Sequence, residues 1–230
     1  MSFLSGRTSL TTVQTGDLAD DAVTLAKLAA GTDGNLISFD TSGDPVAVAT
    51  GTDGQVLTSS GANAVCAFED AAGGITLGTE QAHGSGTSLT FSSIPSGTKR
   101  VTINFEDLSW NANQDYLIQL GDSGGIETSG YISTSLLIDT VQTLAKNDTT
   151  GFGIYCENNS NSYNMHGTMV LTLKDASNFT WTAFTVVRFT ATTMCFSAGN
   201  KSLSAELTQF KIFNDASGSF SSGSVNVTYE

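Results

Sequence analysis

Residues 100–107 read RVTINFED, and their alternation of apolar and polar side chains decides the fold. Val101, Ile103 and Phe105 occupy every second position, and polar residues fill the positions between them. Because successive side chains of a strand point to opposite faces of its sheet, this period of two predicts a β-strand. We expect the three apolar side chains to face a core and the polar ones to face solvent.

Seven other stretches repeat this period of two, and turn-forming Gly, Asn, Asp and Ser residues separate them. They are residues 88–92 (SLTFS), 115–121 (DYLIQLG), 152–157 (FGIYCE), 168–175 (TMVLTLKD), 181–190 (WTAFTVVRFT), 207–213 (LTQFKIF) and 225–229 (VNVTY). Many short strands, together with only two prolines in the chain, indicate an antiparallel architecture. The sequence therefore predicts a mainly β protein in which residues 75–230 form a C-terminal antiparallel β-sandwich, jelly-roll-like, that serves as a head domain.

Residues 1–74 differ from this head domain in their aromatic content. Both tryptophans and all five tyrosines lie beyond residue 74, whereas the first 74 residues contain three phenylalanines. Aromatic side chains bury the most area per residue, so this part is expected to need another surface to become ordered. The run AAGG at 71–74 marks the predicted boundary between the two parts.

An internal repeat of 20 residues occupies most of the second half of this N-terminal part. Residues 31–50 read GTDGNLISFDTSGDPVAVAT, and residues 51–70 read GTDGQVLTSSGANAVCAFED. Each copy predicts a β-hairpin, with a turn, a short strand, a glycine-containing turn and a second strand. A two-stranded hairpin is marginally stable alone, so we expect the copies to pack on each other, on further copies of the chain or on a larger assembly.

A short helix and an extended arm are predicted before the repeats. Asp20 and Asp21 precede AVTLAKLAAG, with an aspartate at the helix N-cap and Gly31 just past the end. Residues 1–18 show scattered apolar residues without a clear period, which indicates an extended arm. Candidate anchoring residues on the arm and helix are Phe3, Leu4, Leu10, Val13, Leu18, Val23, Leu25 and Leu28.

Composition and charge exclude several partners. The chain has 22 acidic and 9 basic residues, a formal net charge of −13, and only 13% charged residues. Nucleic acid and anionic membranes both require a basic patch, so neither is expected as a partner. Residues 1–10 lack the apolar core of a signal peptide, and membrane insertion is not expected because no apolar stretch is long enough. The acidic excess is steepest in residues 1–74, where nine acidic residues face Arg7 and Lys27.

The string GDSGG at residues 121–125 matches the sequence around the nucleophile of trypsin-like proteases. A nucleophilic serine needs a histidine base and a carboxylate that orients it. The upstream histidine, His83, is only 40 residues from Ser123 (123 − 83 = 40), and Ile126 follows the string where proline is usual. We interpret the string as a glycine-rich turn between two strands, expect no enzyme, and keep a hydrolase as a remote alternative.

Other candidates for chemistry are weak. Glu106 and Asp107 are adjacent carboxylates, but neighbours in a strand point to opposite faces, so we interpret the pair as a turn after the strand. Neither histidine has Glu or Cys at metal-ligand spacing. Cys66, Cys156 and Cys195 lie far apart in no metal-binding pattern and are interpreted as small buried apolar residues. No metal site and no cofactor are predicted.

Two loop-like stretches combine aromatic rings with amide side chains, residues 110–116 (WNANQDY) and 158–164 (NNSNSYN). Aromatic faces stack on sugars, and amides hydrogen-bond to their hydroxyls, so these loops are candidates for weak glycan recognition. The alternative is that Trp110 is a core or interface residue and that the Asn-rich stretch is a solvated turn. Candidate ligand-binding residues are Trp110, Asn111, Asn113, Tyr116, Asn161, Tyr163 and Asn164.

The order of these segments resembles that of tailed-bacteriophage virion fibres. Residues 17–34 (DLADDAVTLAKLAAGTDG) and 51–70 are similar to the linking and shaft segments of such fibres. Residues 94–109 (IPSGTKRVTINFEDLS), 116–131 (YLIQLGDSGGIETSGY) and 150–155 (TGFGIY) resemble their C-terminal head domain.

This resemblance implies a homotrimer in the virion, assembled in the bacterial cytoplasm, with its N-terminal part attached to other capsid or tail proteins. The head would then project outward for adhesion to the host surface. The chain departs from long tail fibres because two hairpin copies would make only a short stalk. That departure raises a head fibre on the capsid as an alternative to a tail fibre, and it raises a second hypothesis, a cement or decoration protein that stabilises the head.

Overall fold

The structure is a computed structural model. It describes residues 31–71, 74–111, 115–156, 164–189, 192–214 and 218–230. Within these residues the secondary structure consists of eighteen β-strands without an α-helix. The chain divides into an N-terminal unit, Met1–Ala72, and a C-terminal unit, Gly73–Glu230, and the division falls within the AAGG run. The predicted arm, the predicted helix and all eight candidate anchoring residues lie outside the described residues.

Two separate antiparallel strand pairs make up the described part of the N-terminal unit. Strand β1 (Leu36–Phe39) pairs with β2 (Pro45–Val48), and β3 (Gln55–Thr58) pairs with β4 (Ala67–Asp70). Val48 is the single buried hydrophobic side chain among residues 31–71. Apolar side chains of these short strands are therefore left largely in solvent.

The C-terminal unit contains fourteen strands. In chain order they are β5 (Thr76–Leu77), β6 (Gln81–Ala82), β7 (Ser88–Ser92), β8 (Arg100–Trp110), β9 (Tyr116–Asp122), β10 (Gly125–Ile126), β11 (Ile132–Ile138), β12 (Thr143–Asp148), β13 (Phe152–Ile154), β14 (Met165–Asp175), β15 (Thr180–Arg188), β16 (Met194–Ser202), β17 (Gln209–Asn214) and β18 (Phe220–Tyr229). Each of the eight stretches predicted from the sequence overlaps one of these strands. Six strands have no counterpart among those eight stretches, namely the two-residue strands β5, β6 and β10 and the longer strands β11, β12 and β16.

These strands form two antiparallel sheets. The nine-stranded sheet has the order β12-β11-β16-β15-β14-β8-β18-β5, and β6 also pairs with β18. The five-stranded sheet has the order β10-β9-β17-β7, and β13 also pairs with β9. The chain passes from β7 to β8 to β9 by changing sheet twice, and it does so again from β16 to β17 to β18. Such alternation places the two sheets against each other.

A single hydrophobic core lies between the sheets. Val101, Ile103 and Phe105 are buried in it, as the alternation in residues 100–107 predicts. Ile118 and Phe210 contribute to the same core from the five-stranded sheet. The prediction of a mainly β fold is confirmed, and the shared core is consistent with a β-sandwich.

The three cysteines are free, and two of them behave as predicted. Cys156 and Cys195 are buried, and burial raises the pKa of Cys195 to about 12. Their thiols therefore stay protonated at neutral pH. Cys66 corrects the prediction, because it is only half-buried in the turn region before β4.

Candidate functional site

Two of the predicted ligand-binding residues lie in the core. Trp110 and Tyr116 are completely buried, and the Trp110 ring stacks on Phe220 with 3.7 Å between ring centroids. The Tyr116 hydroxyl donates a 2.9 Å hydrogen bond to the Leu108 carbonyl, and burial raises the pKa of this hydroxyl well above its ordinary value. Neither ring offers a face to a sugar, so the ligand-binding prediction is corrected for both. The alternative, that Trp110 is a core residue, is what the structure shows.

The remaining predicted ligand-binding residues divide into two groups. Asn113, Asn161 and Tyr163 lie outside the described residues. Asn111 is exposed, and its side-chain oxygen accepts a 2.8 Å hydrogen bond from the Ser219 amide. Asn164 is also exposed and donates from Nδ2 to the Asp107 carboxylate over 3.2 Å. Both amides therefore lie at strand ends. Asn111 follows β8 and bonds to the residue before β18, whereas Asn164 precedes β14 and bonds to β8.

The GDSGG string forms the turn between β9 and β10, as interpreted from the sequence. The Asp122 carboxylate accepts hydrogen bonds from the Ser204 hydroxyl (2.6 Å) and the Gly124 amide (2.7 Å). These two bonds hold the pKa of Asp122 below its ordinary value. Ser123 is exposed at the tip of the turn, while both histidines of the chain contact residues elsewhere, His83 the Phe220 ring and His166 the Asp107 carboxylate.

The outer face of the nine-stranded sheet carries an exposed apolar surface that sequence reasoning missed. We call it the apolar patch, and it consists of Leu136, Ile138, Phe184, Val186, Met194 and Phe196. Phe184 is 55% exposed, and Leu136, Ile138 and Met194 are each 39% exposed. The patch therefore crosses β15, β16 and β11 on the side of the sheet that faces away from the core.

Strand register makes this patch continuous. Val186, Phe196, Leu136 and Ala145 lie side by side on β15, β16, β11 and β12. The adjacent row on one side contains Phe184. The adjacent row on the other side contains Arg188, Met194 and Ile138, and Arg188 is the one charged side chain in the three rows. A monomeric protein rarely exposes a contiguous apolar surface of more than a few hundred Å², and such surfaces mark interaction sites.

The other half of the same sheet face is polar. A cleft of about 370 Å³ opens there, and we call it the polar cleft. Its lining residues come from β8, β14, β18 and the segment before β6, and they are Glu80, Asn104, Phe105, Glu106, His166, Gly167, Ser224 and Asn226. The outer face of one sheet thus divides into an apolar patch and a polar cleft.

Two β-bulges shape this cleft. Strand β8 gains one residue relative to β14 between Phe105 and Leu108, so that Glu106 and Asp107 together oppose His166. It also gains a residue relative to β18 beside Gly223. The interpretation of Glu106 and Asp107 as a turn is wrong, because β8 continues through them and the bulge exposes both carboxylates. Bulges are frequent next to functional sites because they re-aim side chains.

Asp107 is the centre of this bulged region. It adopts a positive φ of 52°, which is uncommon for a residue other than glycine. Its carboxylate lies 3.0 Å from Nε2 of His166 and accepts the bond from Asn164, and its carbonyl accepts a 3.1 Å bond from the Ser222 hydroxyl. These contacts fix the imidazole and the backbone at the rim of the polar cleft.

The described residues offer few other kinds of site. Among the described residues, no group of three His, Cys, Asp or Glu side chains could hold a metal ion. Over the same part of the chain, no helix has the length and apolarity to cross a membrane. Comparison of the chain with protein-family models, with curated proteins and with solved structures found no match in any of the three.

Proposed function

We propose that this chain is a non-enzymatic structural protein of a bacteriophage virion, a short homotrimeric fibre. Its N-terminal unit attaches to other virion proteins, and its C-terminal unit is a jelly-roll-like head for adhesion to the host surface. The order of sequence segments supports the virion role through its resemblance to phage fibres. The proposal that several copies assemble rests on a single observation, the apolar patch.

The physical argument for assembly concerns a conflict between charge and exposed apolar area. Copies of a chain with a net charge of −13 repel each other, so association requires a contact surface without acidic side chains. The three strand rows of the patch provide one, since their single charged side chain, Arg188, lies at the margin. Burial of apolar area contributes roughly 25 cal/mol per Å², which favours association of copies through this face.

Self-association can be tested on the full chain by light scattering after size-exclusion chromatography. We expect the wild-type mass to be three times that of one chain. Leu136→Asp and Phe184→Asp should each shift the mass toward one chain, because a carboxylate buried in an apolar interface is strongly unfavourable.

A matched control is Ile75→Asp, which adds the same charge at a side chain that is 69% exposed outside the patch. This variant should keep the wild-type mass, and circular dichroism should show all variants folded. A monomeric wild-type chain would contradict the trimer. Patch variants that retain the wild-type mass would instead show that copies meet elsewhere.

The second candidate function is that of a cement protein that stabilises the capsid. The small size of the two strand pairs in the N-terminal unit favours it, because each of their strands has only four residues and would make only a short stalk. A cement protein and an adhesin both need assembly, so the apolar patch fits either. The two differ in what a particle loses without the protein, stability in one case and host adsorption in the other.

A further inference from the structure

We propose that the polar cleft is a binding site for a saccharide that carries a free amino group. This inference rests on the adhesion role proposed above and names the chemical class of ligand for it. It also replaces the first of the two predicted aromatic loops, residues 110–116, as the place of glycan contact, since Trp110 and Tyr116 are buried.

The first argument is the arrangement of hydrogen-bonding groups on the sheet. Asn104 of β8 lies directly opposite Asn226 of β18, and one row along the strands Glu106 lies opposite Ser224. Neighbouring strands are about 4.8 Å apart, and residues two apart on one strand are about 6.8 Å apart. The cleft therefore presents a lattice of donors and acceptors, which suits a ligand with several hydroxyl groups lying flat on the sheet.

The second argument is size and shape. The cleft measures about 370 Å³, which is at the lower end of the range for small-molecule sites, roughly 300 to 1,000 Å³. The lattice runs across β14, β8 and β18, because Thr168 of β14 continues the row of Asn104 and donates to its side-chain oxygen over 3.2 Å. This size suits one or two sugar rings.

The third argument is charge. Glu80 and Glu106 line the cleft, and Asp107 lies beside it with His166 as its partner. Lysine and arginine are missing from the described lining residues. A negative potential in a cleft raises the local concentration of cations and disfavours anions. An ammonium group on the sugar would pair with these carboxylates, whereas a sulfated or carboxylated sugar would be repelled.

The fourth argument is preorganisation. The bulge in β8 places Glu106 and Asp107 on the same exposed side, and Asp107 holds the imidazole of His166 in place. Gly167 forms part of the cleft wall with a φ of 137°, and a Cβ there would lie 2.3 Å from the Val186 carbonyl oxygen. Backbone geometry therefore fixes this wall of the cleft before a ligand binds, so binding requires no rearrangement of it.

The test is isothermal titration of the full chain with a tetramer of glucosamine and, separately, with its fully N-acetylated counterpart. We expect the glucosamine tetramer to bind about tenfold more tightly, because acetylation removes the positive charge. Glu106→Gln and Glu80→Gln should each weaken binding several-fold. The two variants lie in different segments, one on β8 and one before β6, so the test can still be interpreted if one of them disturbs folding.

Two controls separate a specific site from general attraction to an acidic protein. Glu69→Gln removes an exposed carboxylate of the N-terminal unit and should leave affinity unchanged. Asn104→Ala changes no charge and should weaken binding, since it removes a lattice amide. No binding of the glucosamine tetramer, or binding that Glu106→Gln, Glu80→Gln and Asn104→Ala all leave unchanged, overturns the site. Equal affinity for both tetramers overturns the amine requirement and, with it, the ligand class.

These outcomes are independent of the proposed assembly and virion role. Binding is measured on purified protein whatever its mass by light scattering, so a monomer can still bind. Failure of the titration with a trimeric wild type would remove the ligand and leave the assembly in place.

Discussion

Trp110 shows how one residue supports two opposite interpretations until its surroundings are known. A tryptophan beside asparagines at the end of a strand suits sugar stacking, and it equally suits a core that needs large apolar volume. The structure places its ring between Phe220 and Tyr116, with centroids 3.7 and 5.2 Å away. Its position opposite Phe220 in the pairing of β8 with β18 puts it inside the sandwich.

Trp110→Ala should therefore lower the free energy of unfolding by about 3 to 5 kcal/mol, since it leaves a large cavity in the core. Trp110→Phe is the control that keeps an aromatic ring against Phe220, and it should cost much less. Urea denaturation followed by circular dichroism measures both. A stable Trp110→Ala protein that had lost saccharide binding would restore the ligand-binding interpretation.

At the scale of elements, strand β11 explains why the apolar patch was missed. Its residues read ISTSLLI, and Ser133, Ser135 and Leu137 are buried while Ile132, Leu136 and Ile138 are exposed. The usual inference from alternation, apolar inward and polar outward, is reversed over most of this strand. The inward row continues with Ser197 and Thr185 on the neighbouring strands, both buried.

The bulges in β8 are the second feature at this scale, and Gly223 on β18 makes one of them sterically possible. It has a φ of 99°, and a Cβ at this position would lie 2.4 Å from the backbone of Asp107. Only glycine can both adopt this conformation without strain and leave room for the partner strand.

Gly223→Ala should lower the free energy of unfolding by roughly 2 to 3 kcal/mol, from backbone strain and the contact with Asp107. Gly84→Ala is the matched control, because no atom lies within 4 Å of its added methyl group, and it should change stability by less than about 0.5 kcal/mol. Thermal or urea unfolding measures both. Equal stability of the two variants would show that the bulge rearranges at no cost.

At the scale of the whole molecule, the two units differ in how much hydrophobic core each contains. The hydrophobic core cluster lies in the C-terminal unit, whereas the described N-terminal residues bury Val48 alone. Large buried area offsets the entropy of ordering a chain, so the C-terminal unit is expected to fold without the arm. The small buried area of the N-terminal unit supports the proposal that this unit attaches to other proteins.

Deletion of residues 1–16 should give a soluble, folded protein that no longer joins the particle. Circular dichroism and thermal unfolding check the fold, and gel analysis of purified particles checks incorporation. Insoluble product, or normal incorporation, would contradict the division of roles.

Particles that lack the protein then separate the two candidate functions. A loss of host adsorption with unchanged capsid stability supports the fibre. Normal adsorption with capsids that burst at lower temperature supports the cement protein.

Much of the fold was predictable from sequence, and the candidate surfaces were not. The eight alternating stretches identify strands because a period of two follows from strand geometry alone. Pairing partners, by contrast, depend on contacts far apart in the chain, such as β8 with β14 and β18. The cleft depends on that pairing, since Asn104 and Asn226 are 122 residues apart in sequence (226 − 104 = 122) and adjacent on the sheet.

The amino-acid sequence by itself determined a mainly β chain, its acidic and sparsely charged surface, and the concentration of aromatic residues beyond residue 74. These are properties of composition and local period, which need no tertiary contact. Tertiary structure alone decided that Trp110 is buried, that β11 presents its apolar residues outward, and that a bulge brings Glu106 and Asp107 to one exposed side. Burial and register are set by which strand lies beside which, and that information is held in the packing of the whole unit.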